Sequence, residues 1–265
     1  MSNRFEGKIV IVTGAASGIG EKTAIKFANE GAKVVIADIN KEMGNIVADQ
    51  IKKDNGDALF VETNVAEFIS VYNMVSQTLD TFGIPDVLIN NAGINVFGEP
   101  LNMPDSEWKR AFSVDLDGVW FGCKAVLPHM LKKNKGSIVN VASVHGIQII
   151  PNCFPYPVAK HGVIGLTKAL AVDYAAKGIK INSISPGYIE TPIIDRFFNT
   201  KPDPIAARKE AENHQPIKRM GTTDEIANTI MFMSSDECNY LIGANIVVDG
   251  GITLRMHDNE DTGAG

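Results

Sequence analysis

Short apolar runs alternate along the chain with longer stretches whose apolar residues recur every three or four positions. The runs are Lys8–Thr13, Ala32–Ala37, Asp57–Glu62, Asp86–Asn90, Ser137–Val141, Ile179–Ile184 and Asn245–Val248. Runs this short and this continuous fit strands buried on both faces rather than strands with one wet side. Between them, helical spacing predicts helices over Glu21–Glu30, Lys41–Lys53, Glu67–Thr81, Asp105–Lys133, Tyr156–Ala176 and Thr223–Ser234. In the first of these, Ala24, Ile25, Phe27 and Ala28 form the apolar face. Seven buried strands alternating with helices predict an α/β fold: a doubly wound, parallel seven-stranded sheet in a single domain. That domain is expected to span residues 1–256, with a lid over the site at about 192–220 and a polar tail at 257–265.

Composition narrows the partners. A length of 265 residues with 45% apolar content supports one substantial core. The net charge of -6 is the wrong sign for a nucleic-acid or anionic-membrane surface, so a small-molecule partner is expected. Cys123, Cys153 and Cys238 are odd in number and widely spaced, which fits neither a disulfide framework nor a zinc site. They are read as buried packing residues. Arg4, Glu6 and Lys8 interrupt the start of the chain and no apolar run reaches 18 residues, so neither a signal peptide nor a membrane span is expected and the default location is the cytoplasm. His129 and His161 sit within predicted helices and are read as structural, and no His, Cys or carboxylate cluster has metal-site spacing, so a metal-free mechanism is expected.

Candidate chemistry starts where the first run ends. Gly14-Ala15-Ala16-Ser17-Gly18-Ile19-Gly20 joins a strand to a helix, a position where glycine backbone can approach a pyrophosphate and the helix start offers free N–H groups. Asp38 closes the second run, eighteen residues beyond Gly20, where a carboxylate would accept hydrogen bonds from a ribose. Dinucleotide binding follows from that arrangement. Farther on, Tyr156 and Lys160 lie four apart at a helix start and therefore share a face. An ammonium held close favours the phenolate, and a downward shift of roughly 3 units would bring the phenol near working pH. Ser143 supplies a neutral hydroxyl that could hold a substrate oxygen.

The glycine spacing is Thr-Gly-x-x-x-Gly-x-Gly, and with Asn90-Asn91-Ala92-Gly93, Ser143, the Tyr156 and Lys160 pair and Pro186-Gly187 the chain closely resembles the short-chain dehydrogenase/reductase family from Lys8 to Gly251. The resemblance implies a Rossmann-type domain that binds a nicotinamide cofactor. It further implies Tyr156 as general acid/base, Lys160 as the residue that lowers its pKa and binds the nicotinamide ribose, and Ser143 as the holder of the substrate oxygen. Gly14, Ser17, Gly18, Ile19, Gly20 and Asp38 would bind the phosphates and the adenosine ribose. Asn64 and Val65, with Asn91, Ala92 and Gly93, would line the adenosine side, and Pro186, Gly187, Ile189 and Thr191 would hold the carboxamide end. The last strand usually joins subunit contacts in this family, so a homo-oligomer, tetramer or dimer, is expected. Three positions depart from the family pattern. Asn64 replaces an Asp, although its amide oxygen can still accept a hydrogen bond. Asp115 replaces an Asn of the proton relay, and a carboxylate there would stabilise the Lys160 ammonium and partly offset its pull on Tyr156. Pro157 follows the tyrosine, at little cost in a first helical turn.

Substrate is less defined. Asn95, His145, Gln148 and Asn152 suit a hydroxyl-rich ligand, whereas Val96, Phe97, Ile147, Ile149 and Ile150 could line an apolar slot. The lid cations Arg196, Lys201, Arg208, Lys209, Lys218 and Arg219 are largely balanced by Asp203, Glu210 and Glu212. The expected activity is NAD-dependent hydride transfer with a secondary alcohol or ketone, with a sugar, polyol or sugar acid favoured and a 3-oxoacyl or hydroxysteroid compound as the alternative. A non-catalytic dinucleotide sensor is the alternative of another class, disfavoured by the intact Ser143, Tyr156 and Lys160. NADP is the less favoured cofactor because Ser17 and Ile39 stand where a basic residue would bind its phosphate.

Overall fold

Residues 3–254 are described by the structure, a computed structural model. The expected tail at 257–265, with the last residues of the expected domain, lies outside them. The first apolar run forms β1 (Ile9–Thr13), and the glycine turn leads into α1 (Gly18–Asn29). The chain continues through β2 (Lys33–Asp38), α2 (Lys41–Lys53), β3 (Asp57–Glu62), α3 (Phe68–Thr81) and β4 (Val87–Asn90). After a two-residue strand β5 (Phe97–Gly98) come α4 (Asp105–Phe112), α5 (Gly118–Lys133) and β6 (Gly136–Val141). A second short strand, β7 (Phe154–Pro155), precedes α6 (Tyr156–Tyr174) and β8 (Ile179–Pro186). The lid segment forms α7 (Pro192–Asn199) and α8 (Pro204–His214), and α9 (Thr223–Ser234) and β9 (Asn245–Val248) complete the fold.

All seven strands expected from the apolar runs join one sheet, in the order β3-β2-β1-β4-β6-β8-β9, and every pairing is parallel. Alternation within each strand sends neighbouring residues to opposite faces. Val10 and Val12 pack with Phe27 of α1, Val47 and Ile51 of α2 and Ile226 and Ile230 of α9. Ile11, between them, packs on the other side with Val71 and Met74 of α3, Val126 and Met130 of α5 and Leu170 of α6. Two covered faces explain the continuous apolar runs, since neither set of side chains meets water. Each fully buried aliphatic side chain stabilises the fold by about 1.5–3 kcal/mol.

The strand order reverses between β1 and β4, so the loops after these two strands diverge and leave a crevice at the carboxyl ends of the sheet. Gly14, Asn91, Ser143 and Gly187 all follow strands that end there.

Three features were not anticipated. The helical stretch Asp105–Lys133 is divided by a π turn over Ser113–Asp117, which includes Asp115. Strands β5 and β7 pair antiparallel as a separate ribbon, each too short to show an alternating pattern. The lid is helical. Thr191 caps α7 by accepting from the Ile194 N–H at 3.4 Å, Asp203 caps α8 by accepting from the Ala206 N–H at 3.0 Å, and both helices have proline in the first turn. Phe198, Ala211 and Met220 bury a small core of their own beneath these helices, with Tyr188 and Phe197 against it.

Candidate active site

The crevice is shaped first by backbone. Gly14 and Gly18 have φ of +63° and +61°, a region open to glycine and costly for side chains. A Cβ on Gly20 would lie 2.2 Å from the Gly14 carbonyl oxygen and 2.5 Å from Asn91 Nδ2, so only glycine fits where the helix crosses the turn. Ser17 precedes α1 without its hydroxyl capping the helix, which leaves the first-turn N–H groups available to an anion. Asp38 stands over the same turn, accepting from the Ala16 N–H at 2.9 Å and the Asn40 N–H at 2.8 Å. Ile19 of α1 packs against the core beneath. The cradle therefore fits a dinucleotide: exposed amides for phosphate and a fixed carboxylate for a ribose.

Neighbouring residues hold this turn in place. Asn91 donates through Nδ2 to the carbonyls of Thr13 at 2.9 Å and Gly14 at 3.1 Å, tying the end of β4 to the end of β1. Thr13 Oγ1 accepts from the Asn91 and Ala92 N–H groups at 3.0 and 3.1 Å. The Asn91 amide nitrogen is thus committed to the backbone, and Thr13 is a positioning residue that sequence reasoning missed. Asn64 is likewise engaged, donating to Glu67 at 2.7 Å while its amide oxygen accepts from the Ala66 N–H at 3.2 Å. Val65 is buried and packs where a Cβ on Gly118 would touch it. Gly187 pairs with Val248 and lies against Asp249, and Ile189 is buried beside the bridge to Gly221. Thr191 caps α7, and a Cβ on Gly18 would meet its Cγ2 at 3.4 Å, so the segment expected as a lid starts across from the glycine turn.

The reactive group stands at the mouth of β6. Tyr156 opens α6, and the Lys160 ammonium, one turn on, lies 5.4 Å from the phenol ring centroid. Lys160 Nζ is buried and donates to the Val141 carbonyl at 3.2 Å. Ser143 acts on the Tyr156 phenol to lower its pKa, and its hydroxyl accepts from the His145 N–H at 3.1 Å. Asp115 is fully buried. Its Oδ1 lies 3.7 Å from Lys160 Nζ and accepts from the Ile94 N–H at 3.0 Å, while Oδ2 has no protein partner among the described residues. Burial pushes the Asp115 carboxyl up, with Lys160 as the main opposing influence. Gly93 faces the pair so closely that a Cβ there would meet Asp115 Oδ1 at 2.8 Å.

Tyr156 reverses an expectation. Burial raises its pKa above the ordinary phenol value; Lys160 and Ser143 pull it down, and Asp115 pushes it up. The lysine acts with the anticipated sign, but in the protein alone desolvation of the phenolate outweighs it.

Around the phenol the walls are aromatic. Phe97 of β5 meets Tyr156 edge-on at 5.5 Å, His145 at 6.4 Å and Phe197 of α7 at 5.8 Å. His145 also contacts Tyr156 at 5.9 Å, and burial lowers its pKa. Phe154 stacks on Trp108 at 5.4 Å behind this wall. Sequence reading had Phe97 as a possible lining residue and missed Phe197, because the lid showed no contact that spacing alone could reveal. Of the four polar residues expected to meet substrate, only His145 is seen against the tyrosine. Gln148 is exposed and donates to the Thr253 carbonyl at 2.8 Å, and Asn152 occupies an exposed turn at φ +62° that favours asparagine for its backbone. Asn95 is half-buried in the loop ahead of β5.

This geometry has close counterparts. The family described as enoyl-(acyl carrier protein) reductase matches residues 14–253. A cyclohexanol dehydrogenase from an Acinetobacter species is 40% identical, covering 96% of this chain and 98% of its own length. The chain belongs to the short-chain dehydrogenase/reductase family. A 3-oxoacyl-[acyl-carrier-protein] reductase from Thermotoga maritima is 38% identical, over 95% of this chain and all of that one. Among solved structures of the family, levodione reductase superposes with a TM-score of 0.92 at 34% identity, covering 95% of this chain and 100% of that one. As a short-chain dehydrogenase/reductase, the protein is an oxidoreductase that uses a nicotinamide cofactor and a small-molecule substrate. Among the described residues, no helix is long and apolar enough to cross a membrane.

Proposed function

We propose that this protein interconverts a secondary alcohol and its ketone with NAD, and that the group flanking the reacting carbon is an apolar ring or chain rather than a polyol. The observation that carries this reading is the wall of Phe97, Phe197 and His145 around Tyr156. The faces of Phe97 and Phe197 attract a ligand by burying apolar area, about 25 cal/mol per Å², and offer nothing to a hydroxyl, which leaves the unpartnered Nδ1 of His145 as the polar atom of this wall. A sugar or polyol entering here would leave the hydroxyls that His145 does not meet without partners, at about 1–3 kcal/mol each. Of the polar residues that favoured a polyol from sequence, Gln148 is engaged with the Thr253 carbonyl and Asn152 sits in an exposed turn. The 40% identical relative named for cyclohexanol, a cyclic secondary alcohol, supports the same reading.

In this reading Ser143 and Tyr156 together bind the substrate oxygen. Tyr156 gives that oxygen a proton during ketone reduction and takes it during alcohol oxidation. Lys160, fixed by the Val141 carbonyl and beside Asp115, stabilises the phenolate half of the cycle and restores its proton. The nicotinamide, when bound, supplies or accepts the hydride. Initial rates with NAD on cyclohexanol and on sorbitol test the substrate: kcat/KM should favour cyclohexanol at least a hundredfold, and equal or better turnover of sorbitol would sink the proposal.

NAD rather than NADP follows from Asp38. Two backbone donors fix its carboxylate, so it cannot turn away from a 2'-phosphate, whose charge of roughly -1.5 to -2 it would repel. Ile39 beside it is exposed and uncharged. The double variant Asp38→Ser with Ile39→Arg should narrow or invert the preference, and wild-type kcat/KM that is equal with the two cofactors would refute it.

A further inference from the structure

We propose that the opposite end of the sheet holds a second small-molecule site, built to receive the phosphate or carboxylate group of a small anionic metabolite. The parallel strands that deliver Asn91, Ser143 and Gly187 to the crevice begin at a separate cavity of about 510 Å³. That volume falls in the range of small-molecule sites, roughly 300–1,000 Å³. Its walls are the amino ends of β4, β6 and β8, the segment before β1 and the loop after α9.

Two buried polar side chains point to an anion. Ser137 and Lys180 are direct partners across the β6–β8 ladder, so their side chains lie side by side on one face of the sheet. Both line the cavity and both are more than nine-tenths buried, at 4% and 7% exposure. Ser137 Oγ has no hydrogen-bond partner among the described residues. Lys180 Nζ donates to the Ser235 carbonyl at 2.5 Å, and no carboxylate among the described residues lies within ion-pair distance of it. A buried ammonium with one neutral acceptor is costly, and an unpaired hydroxyl beside it adds to the cost. An oxyanion placed between them would satisfy both with charge-assisted hydrogen bonds.

The remaining charges leave room for it. Other cations at the cavity already have partners: Arg4 holds Glu30 at 2.6 Å, and Lys135 holds Asp236 at 3.1 Å. Asp86 is neutralised by Lys133 at 2.9 Å. Lys8, at the rim, forms no ion pair among the described residues. Lys8 and Lys180 are therefore the cavity cations without an ion-pair partner within 4 Å among the described residues, with only the more distant charge of Asp236 acting on both. Phe5, Val87 and Ile179 are buried nearby and give the body of the ligand an apolar floor.

Calorimetric titration of the full chain tests the site, in the presence of saturating dinucleotide so that the glycine turn is filled. Inorganic phosphate and citrate are the probes. At least one should give a saturable one-to-one isotherm, and the tighter of the two identifies whether phosphate or carboxylate is the natural group. Lys180→Met should weaken that binding at least tenfold, Ser137→Ala and Lys8→Gln several-fold each, with dinucleotide affinity unchanged in all three. The two smaller substitutions keep the test open should the methionine variant fold poorly. Absence of a saturable isotherm for both probes, or affinities unmoved by these substitutions, would overturn the proposal and leave a water-filled structural cavity.

Discussion

The two sides of the crevice are made in different ways. On the cofactor side, the turn between β1 and α1 is almost entirely backbone: glycines at positive φ, free amides and carbonyls clamped by Asn91. On the substrate side, Phe97, His145 and Phe197 come from three separate segments, two of which are short irregular pieces or lid helix. A backbone cradle recognises what every dinucleotide shares, so it tolerates no change of shape. A wall of side chains can be re-cut residue by residue while the fold persists. In the proposed reading, specificity belongs to the second side and cofactor capture to the first, with Tyr156 at the boundary.

The sharpest test of that boundary is Tyr156→Phe. It removes only a hydroxyl, so turnover should fall by 10²–10⁴, the usual general acid/base contribution, while dinucleotide affinity stays within about twofold. Single-turnover rates and fluorescence titration with reduced cofactor would measure both, and retention of more than about a hundredth of kcat would assign the acid elsewhere. Gly20→Ala attacks the first side. With the Gly14 carbonyl 2.2 Å from the new methyl, the turn must open, and dinucleotide binding should weaken by a hundredfold or more. Overpacking of this kind also costs about 1–3 kcal/mol of stability. Normal cofactor affinity in this variant would show that the turn can yield.

Phe197→Ala probes the second side and should leave cofactor affinity alone. Losing that face is expected to raise KM for an apolar alcohol about tenfold, with a much smaller change for a small diol. Equal effects on the two substrates would mean that the lid acts by closure rather than by contact. The smallest expected effect is that of Asp115→Asn. The Asp115 charge raises the Tyr156 pKa, so an amide there lets the phenol ionise at lower pH. Alcohol oxidation, which requires the phenolate, should then gain a few-fold at the acid end of its profile, and the profile should move toward lower pH. A profile that does not move would mean that the buried carboxyl carries no charge, consistent with the upward push of burial on its own pKa.

The π turn at Ser113–Asp117 sharpens the same point from the backbone. Asp115 lies within this turn, and its Oδ1 is 3.7 Å from the Lys160 ammonium and accepts from the Ile94 N–H. Such bulges inside helices are frequent at functional sites. Sequence spacing predicts helices over this stretch but carries no signal for one turn with a different hydrogen-bond ladder.

Several elements were legible in the chain alone for a simple reason: their determinants are local. The seven strands follow from short apolar runs, α2 and α9 match the helical spacing to the residue, and the glycine turn follows from spacing that only a strand-to-helix connection uses. Tyr156 and Lys160 share a face because four residues make one helical turn. The rest depended on distance in space between residues far apart in sequence. Nothing in the spacing shows that the Asn91 amide ties β1 to β4, or that Asn140 bridges Asn90 and Thr167 within the core. The net upward shift of the Tyr156 pKa depends on how much water the folded protein removes from the ring, which no spacing encodes. Phe97 and Phe197 are a hundred positions apart, and Ser137 and Lys180 lie on strands joined by a long helix; each pair becomes a surface only when packing brings it together. Periodicity and turn chemistry decided the architecture and the reactive pair, whereas burial and contact between remote segments decided what surrounds them.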